Sequence, residues 1–261
     1  MNKQLKNVGN LGDILKHGAL VRLAKLMRTK AIKAPLLYFD THAFLLNAPW
    51  THKLKWKQAV NQKLSEHPYY KDYVRLEANR LDKDEPYRCS AGLVIDVIFD
   101  IPHRIYLAES DAETRQQLQE QVRAEPIRCD KIVASAQELA EIVAPGGEDF
   151  NYEKTDVAVF ALIDPFRLEH AEFDAIAKVI AGFTRASSYG VIQVFDYHDS
   201  PEAQRWPRAP RNFYGPVATH HVGPYHNAVY ATRTMIEQVY QTLDLLGWTL
   251  HDIEVDLSSP D

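Results

Sequence analysis

The chain has 261 residues, of which 46% are apolar and 25% charged, and its net charge is −5. This globular composition excludes extended disorder. The acidic balance excludes a generally basic coat for nucleic acid, since phosphate binding rests on clustered Lys and Arg, although Lys16, Arg22, Lys25, Arg28 and Lys30 do crowd the N-terminal third.

The first element expected is a helix over 13–27, where Ile14, Leu15, Leu20, Leu23, Ala24 and Met27 recur at helical spacing. Leu36-Leu37-Tyr38-Phe39 reads as a buried strand ending in Asp40. A Lys-rich, aromatic, weakly helical stretch then predicts a helical insertion at about 50–88, and a helix is expected over 91–95. A second strand, 104–108, ends in Glu109. Ser110 to Glu113 has capping-box spacing ahead of a helix over 114–122. A third strand is read at 131–133. A capping box from Ser135 to Glu138 opens a helix to Val143, closed by Pro145-Gly146-Gly147.

The most apolar strand, 157–163, ends in Asp164-Pro165. A helix over 173–181 and a strand over 191–195 ending in Asp196 follow, then a Pro- and Arg-rich loop over 200–216. Strands at 217–222 and 228–232 pair around Gly223-Pro224. A helix over 235–246 ends at Gly247, and a last strand is read at 253–257.

Strands alternating with helices predict an α/β fold with a mostly parallel sheet, helices on both faces and antiparallel C-terminal strands. One domain over 1–261 is expected, carrying the helical insertion. Cys89 and Cys129 form no C-x-x-C pair and read as reduced thiols. The polar first residues show no signal pattern, and no apolar run reaches the ~20 residues of a membrane span. The expectation is therefore a cytoplasmic protein without membrane partners.

In such a sheet the strand C-termini share one edge, where ligands bind. That edge gathers Asp40, His42, Glu109, Ser135, Asp164 and Asp196. A carboxylate after the second strand suits a ribose diol, and it equally suits a helix N-terminus.

The run Asn7-Val8-Gly9-Asn10-Leu11-Gly12-Asp13-Ile14-Leu15-Lys16-His17 resembles the G-N-x-x-D-x-L-K-H signature of RlmJ-type ribosomal RNA adenine-N6 methyltransferases. Leu37-Tyr38-Phe39-Asp40-Thr41-His42-Ala43, Cys89-Ser90-Ala91, Leu107-Ala108-Glu109 and Leu162-Ile163-Asp164-Pro165 resemble further segments of that family, in the right order. The resemblance implies a Rossmann-like methyltransferase fold that uses S-adenosylmethionine. It also implies that His17, His42, Ser90 and Glu109 contact the cofactor, with Ser135 at the position that holds its adenine. Asp164 would be catalytic, facing the reactive amine, with Lys16, Pro165 and Phe166 toward the substrate. Ribosomal RNA would be the partner.

Three segments depart from the family. Phe44-Leu45-Leu46-Asn47 replaces a glycine-rich turn, and bulky side chains there are expected to fill the pocket or push the loop elsewhere. Asp164-Pro165-Phe166-Arg167 replaces D-P-P-Y, and Ser135 replaces an aspartate. A second reading is therefore a catalytically inactive homologue with a closed cofactor pocket, acting as an RNA- or protein-binding subunit.

No metal site is expected. His220 and His221 are adjacent on a strand and point to opposite faces, so at most one could join His198 or His226. The loop containing Arg205, Trp206, Arg208 and Arg211 mixes cations and rings as a single-strand RNA contact would, and as a proline-stiffened surface loop would too.

Overall fold

Alternation of buried side chains along the strands divides the interior of this protein into two cores. The computed structural model describes residues 8, 11–31, 35–50, 71–127, 129–143, 157–165, 170–184, 188–197, 206–245 and 247–252. In chain order the elements are α1 (Leu11–Lys30), β1 (Leu36–Asp40), β2 (Asn47–Ala48), α2 (Lys71–Asp82), β3 (Tyr87–Arg88), α3 (Ser90–Ile98), β4 (His103–Ala108), α4 (Ala112–Ala124) and β5 (Lys131–Val133). They continue with α5 (Ala136–Val143), β6 (Ala158–Ile163), α6 (His170–Phe183), β7 (Tyr189–Tyr197), β8 (Phe213–Val222), β9 (Tyr225–Thr232), α7 (Ile236–Asp244) and β10 (Thr249–Leu250).

Among the described residues eight strands form one sheet, in the order β10-β8-β9-β7-β6-β1-β4-β5. Strands β7, β6, β1, β4 and β5 are parallel neighbours, while β9 lies antiparallel between β7 and β8. Strand order reverses at β1, as in Rossmann-like doubly wound sheets.

Leu36, Tyr38, Phe160, Leu162 and Val191 face one core with α1, α2, α3, α4 and α7. Leu37, Phe39, Val159, Ala161 and Ile192 face the other with α5 and α6. The period of two along each strand sends alternate residues to opposite faces, so a strand covered by helices on both faces reads as an unbroken apolar run. No helix among the described residues is long and apolar enough to cross a membrane.

Several element boundaries move. Helix α1 runs beyond 13–27 at both ends. Asp111, not Ser110, caps α4: its carboxylate accepts from Thr114 N at 2.8 Å and from the Thr114 hydroxyl at 2.6 Å. A charged acceptor is favoured at that positive helix end. Asp196 lies inside β7 and does not end it, because β9 pairs with the strand as far as Tyr197.

Strand β8 begins at Phe213, inside the expected loop. Gly215 at φ +132 and a register shift between Tyr214 and Ala218 let the ladder accommodate Pro216. Helix α7 stops at Asp244, with Gly247 at φ +69 behind it. The expected insertion contains α2, and the antiparallel β2–β3 pair closes its base. Residues 51–70, the turn at 145–147, and the strand expected over 253–257 lie outside the described residues.

Gly92 opens a close contact in α3. A Cβ there would stand 2.7 Å from Arg88 Nε and 2.7 Å from the Leu46 carbonyl oxygen. Absence of that Cβ lets Arg88 cross α3 and reach Asp96, Glu125 and Asn47.

Glu77 on α2 is fully buried, and burial pushes its carboxyl up to about 8, against the backbone N–H of Arg88. The unfolded chain releases this proton near the ordinary glutamate value, well before the folded chain does. The group's stabilising contribution is therefore complete below that value and lost as pH rises through about 8. Relative to wild type, Glu77→Gln is expected to gain a few kcal/mol progressively across that interval and to hold the gain above it. Urea denaturation from pH 5 to 9 measures this, and a difference independent of pH would refute it.

Candidate functional site

The parallel strands deliver their C-termini to one edge, and the loop after β1 sits at the point where strand order reverses. Backbone bonds tie that edge together: Thr41 N donates to Leu162 O at 3.1 Å, Ala43 N to Ala108 O at 2.8 Å, and Glu109 N to Val133 O at 3.0 Å. Above it lies a cleft of about 640 Å³, within the range of small-molecule sites. Its walls come from separate parts of the chain. Helix α1 gives Asp13, Lys16 and His17, and the β1 loop gives His42 and Phe44. The β3–α3 junction gives Tyr87, Cys89 and Ser90, and the end of β6 gives Asp164 and Pro165.

At one end, His17 is 2% exposed. Its Nδ1 lies 2.8 Å from the Tyr87 hydroxyl and 3.4 Å from that of Tyr73, and the two hydroxyls are 2.6 Å apart. Burial, with the neighbouring Lys16 charge, holds the imidazole well below its ordinary value, so it is neutral. Buried Nε2 has no hydrogen-bond partner among the described residues. An orphaned polar atom on a cleft wall costs free energy until a ligand satisfies it.

Beside it, Ser90 donates to Asp40 Oδ2 at 2.9 Å. Asp40 is fully buried and also accepts from the Tyr38 hydroxyl at 3.1 Å and from His42 N at 3.3 Å. His42 is further tied to Thr41, whose hydroxyl stands 2.8 Å from Nδ1. Asp40 thus fixes the β1 loop and orients Ser90 and His42.

At the other end, Lys16 Nζ lies 2.6 Å from Asp164 Oδ2 and 3.3 Å from Asp13 Oδ1. Burial disfavours the Lys16 charge, but Asp164 and Asp13 outweigh it and hold the ammonium protonated above its ordinary range. Burial pushes the Asp164 carboxyl up to about 6, against the pull of the Lys16 ammonium. The Lys16 backbone carbonyl accepts from buried Gln193 on β7 at 3.0 Å, which fixes α1 against the sheet.

Lys16, His17, His42, Ser90, Asp164 and Pro165 meet on the cleft. Glu109 is buried and not among the lining residues, accepting from Asp111 N at 2.8 Å, while the next residue, Ser110, lines the cleft. Ser135 is exposed and not among the lining residues; its hydroxyl accepts from Glu138 N at 3.0 Å and opens α5. Phe166 and Arg167 lie outside the described residues.

The three bulky residues after Ala43 take different places. Leu45 and Leu46 turn into the core, and Leu46 N is held by the Gln121 side chain at 2.8 Å. Phe44 alone of the three lines the cleft.

Sequence reasoning missed Phe195, Tyr197 and Tyr225, which wall the Asp164 end. Gln193, Phe195 and Tyr197 alternate along β7 and share a face, and Tyr197 pairs directly with Tyr225 on β9. The alternation was visible in the sequence, but the pairing with β9 was not. His220 stacks on Trp248 and His221 on His226, while His198 and Arg205 lie outside the described residues. Among the described residues no three His, Cys, Asp or Glu side chains converge as metal ligands would.

No protein-family model and no curated protein matches this sequence. Solved structures do resemble it. Protein LPL1258 from Legionella pneumophila, of family-model DUF519, is 17% identical, with a TM-score of 0.55 over 93% of this chain and 97% of that one. An rRNA methylase from Streptococcus thermophilus is 6% identical, with a TM-score of 0.40 over 80% of this chain and 94% of that one. The first likeness shows a shared fold across nearly the whole of both chains.

Proposed function

We propose that this chain binds S-adenosylmethionine in the cleft and methylates an exocyclic nucleobase amine in RNA, the adenine N6 position being the reading that its motifs favour. The observation that carries this is convergence. Residues at 16–17, 42, 90 and 164–165, matched to the family's motifs from sequence alone, come together on one cleft at the strand-order switch.

The residues present fit the cofactor. Nε2 of His17 is a buried polar atom with no partner among the described residues, and Glu109 is a carboxylate at the strand end that suits a ribose diol. His17, His42, Ser90 and Glu109 would hold it; Ser135 serves as a helix cap and is the weakest of the candidates. Bound S-adenosylmethionine supplies an electrophilic methyl group.

The acceptor end belongs to Lys16, Asp164 and Pro165. An adenine amine is conjugated with its ring and is a poor nucleophile. A carboxylate accepting its N–H helps to localise the nitrogen lone pair and orients it for in-line attack. The base must leave its helix to reach Asp164.

A second reading, a binding homologue without activity, is favoured by one observation: the Lys16 ammonium already occupies Asp164. Its partner would then be RNA or a protein. Methyl transfer to RNA separates the two readings.

Cofactor binding comes first. S-adenosylhomocysteine at 100 times its Kd is expected to stabilise the fold by ~2.7 kcal/mol, raising Tm by roughly 5–10 °C. His17→Phe is expected to weaken that binding about tenfold through the loss of one buried hydrogen bond. No Tm shift and no calorimetric heat at millimolar ligand would remove the cofactor reading.

A further inference from the structure

The geometry points to a binding platform for the acceptor on the wall formed by Phe195, Tyr197 and Tyr225: a flat heterocycle bearing an exocyclic amine stacks there, its amine in the seat that Lys16 Nζ now holds. This rests on the methyltransferase reading above and assigns its acceptor end to residues of β7 and β9 that no motif marks.

The seat is defined by what surrounds it. The Lys16 ammonium lies 2.6 Å from Asp164 Oδ2 and 5.5 Å from the centroid of the Phe195 ring. One point in the cleft is thus within hydrogen-bond reach of a carboxylate and within cation–π reach of an aromatic face. The planes of Phe195 and Tyr225 are 20° apart with centroids at 6.1 Å, and Tyr197 braces Tyr225 edge-on at 5.7 Å. Parallel rings beside a carboxylate suit a planar ligand whose edge donates hydrogen bonds. Uracil has no exocyclic amine, and its one base-edge N–H lies between two carbonyl oxygens that the Asp164 carboxylate would repel, so an amine-bearing ring is selected over uracil.

Lys16 does not have to be expelled into solvent when the ligand arrives. Asp13, one turn earlier on α1, already lies 3.3 Å from its ammonium and offers a second carboxylate. The lysine passes from Asp164 to Asp13, and the ligand's amine takes the vacated acceptor. Stacking beyond the end of β6 is then unnecessary, which accounts for the tolerance of Asp164-Pro165-Phe166-Arg167 in place of a motif ending in tyrosine.

The test uses the full chain with S-adenosylhomocysteine bound, so that adenosine is kept out of the cofactor end, and measures adenosine and uridine affinity by NMR titration. Adenosine is expected to bind more tightly than uridine. Tyr225→Leu should weaken adenosine about tenfold and Tyr225→Phe by less than about twofold, since stacking contributes ~1–3 kcal/mol per base. Lys16→Met should tighten adenosine severalfold and leave uridine unchanged. An unchanged circular-dichroism spectrum and a retained cooperative unfolding transition in each variant report an intact fold.

Wild type that does not bind adenosine, Tyr225→Leu that binds it as wild type does, or Lys16→Met that binds it no tighter would each overturn the platform. Wild type that fails to bind S-adenosylhomocysteine would instead overturn the methyltransferase reading. Adenosine affinity in Tyr225→Leu would still decide the platform in that case.

Discussion

Asp164→Asn is expected to lower methyl transfer to RNA by roughly 100-fold or more while changing S-adenosylhomocysteine affinity by less than a few-fold. Asparagine keeps the shape of the side chain but offers the acceptor amine a single neutral oxygen, and it cannot pair with the Lys16 ammonium at 2.6 Å. The pH profile distinguishes this role from a merely structural one. Burial pushes the Asp164 carboxyl up to about 6. The ionised form is the one that accepts the amine, so wild-type transfer should rise with pH through about 6 and then level. Residual transfer by the asparagine variant should be flat across that interval. Undiminished transfer by Asp164→Asn, or an unchanged profile, would clear Asp164 of the role.

The largest loss of stability is expected from Arg88→Met, about 3 kcal/mol in denaturant titration. The Arg88 side chain is 4% exposed and joins β3 to β2, α3 and the residue that caps α4. Its Nη2 donates to Asp96 on α3 at 2.7 Å and to Glu125, beyond α4, at 2.8 Å. Its Nη1 donates to Asn47 on β2 at 3.1 Å and also to Glu125. Those hydrogen bonds hold the Glu125 carboxyl below its ordinary range. Methionine retains most of the volume but takes the guanidinium from Glu125, while Asp96 keeps Arg80 at 2.9 Å.

Arg88 sits on β3 between Tyr87 and the Cys89-Ser90 turn, all of which line the cleft. Weaker S-adenosylhomocysteine binding should therefore accompany the lost stability. A variant as stable as wild type would show that the buried cluster contributes no net stability.

Much of the fold was legible because the parallel strands announce themselves. The β6 run Ala158 to Ile163 is apolar throughout, since helices cover both of its faces, and it ends in a residue that cannot stay in a core unpaired. The antiparallel end was less legible. Strand β8 begins with Phe213-Tyr214-Gly215-Pro216, whose composition reads as a turn, and only pairing with β9 makes it a strand.

The candidate site shows the same division. His17, His42, Ser90 and Asp164 carry motif signals, and the structure gathers them on one cleft. The Lys16–Asp164 pair spans 148 positions and has no local signature. Neither has the place of Phe44, set apart from Leu45 and Leu46 by a loop path that depends on Gln121. Ser135 shows the converse: its capping spacing was a local signal, and local structure is what the residue serves.

Helix α1 carries one more consequence. Lys16 and His17 are consecutive, yet they face opposite ends of the cleft, because neighbouring residues on a helix diverge by about 100°. One rigid rod is thus a wall of both compartments. Gln193 holds the Lys16 carbonyl at 3.0 Å, so a guest that displaced the helix at one end would displace it at the other. Where such a displacement accompanies binding, occupancy of either compartment is thermodynamically linked to occupancy of the other. By reciprocity, the factor by which the first guest alters the affinity for the second equals the factor by which the second alters the affinity for the first.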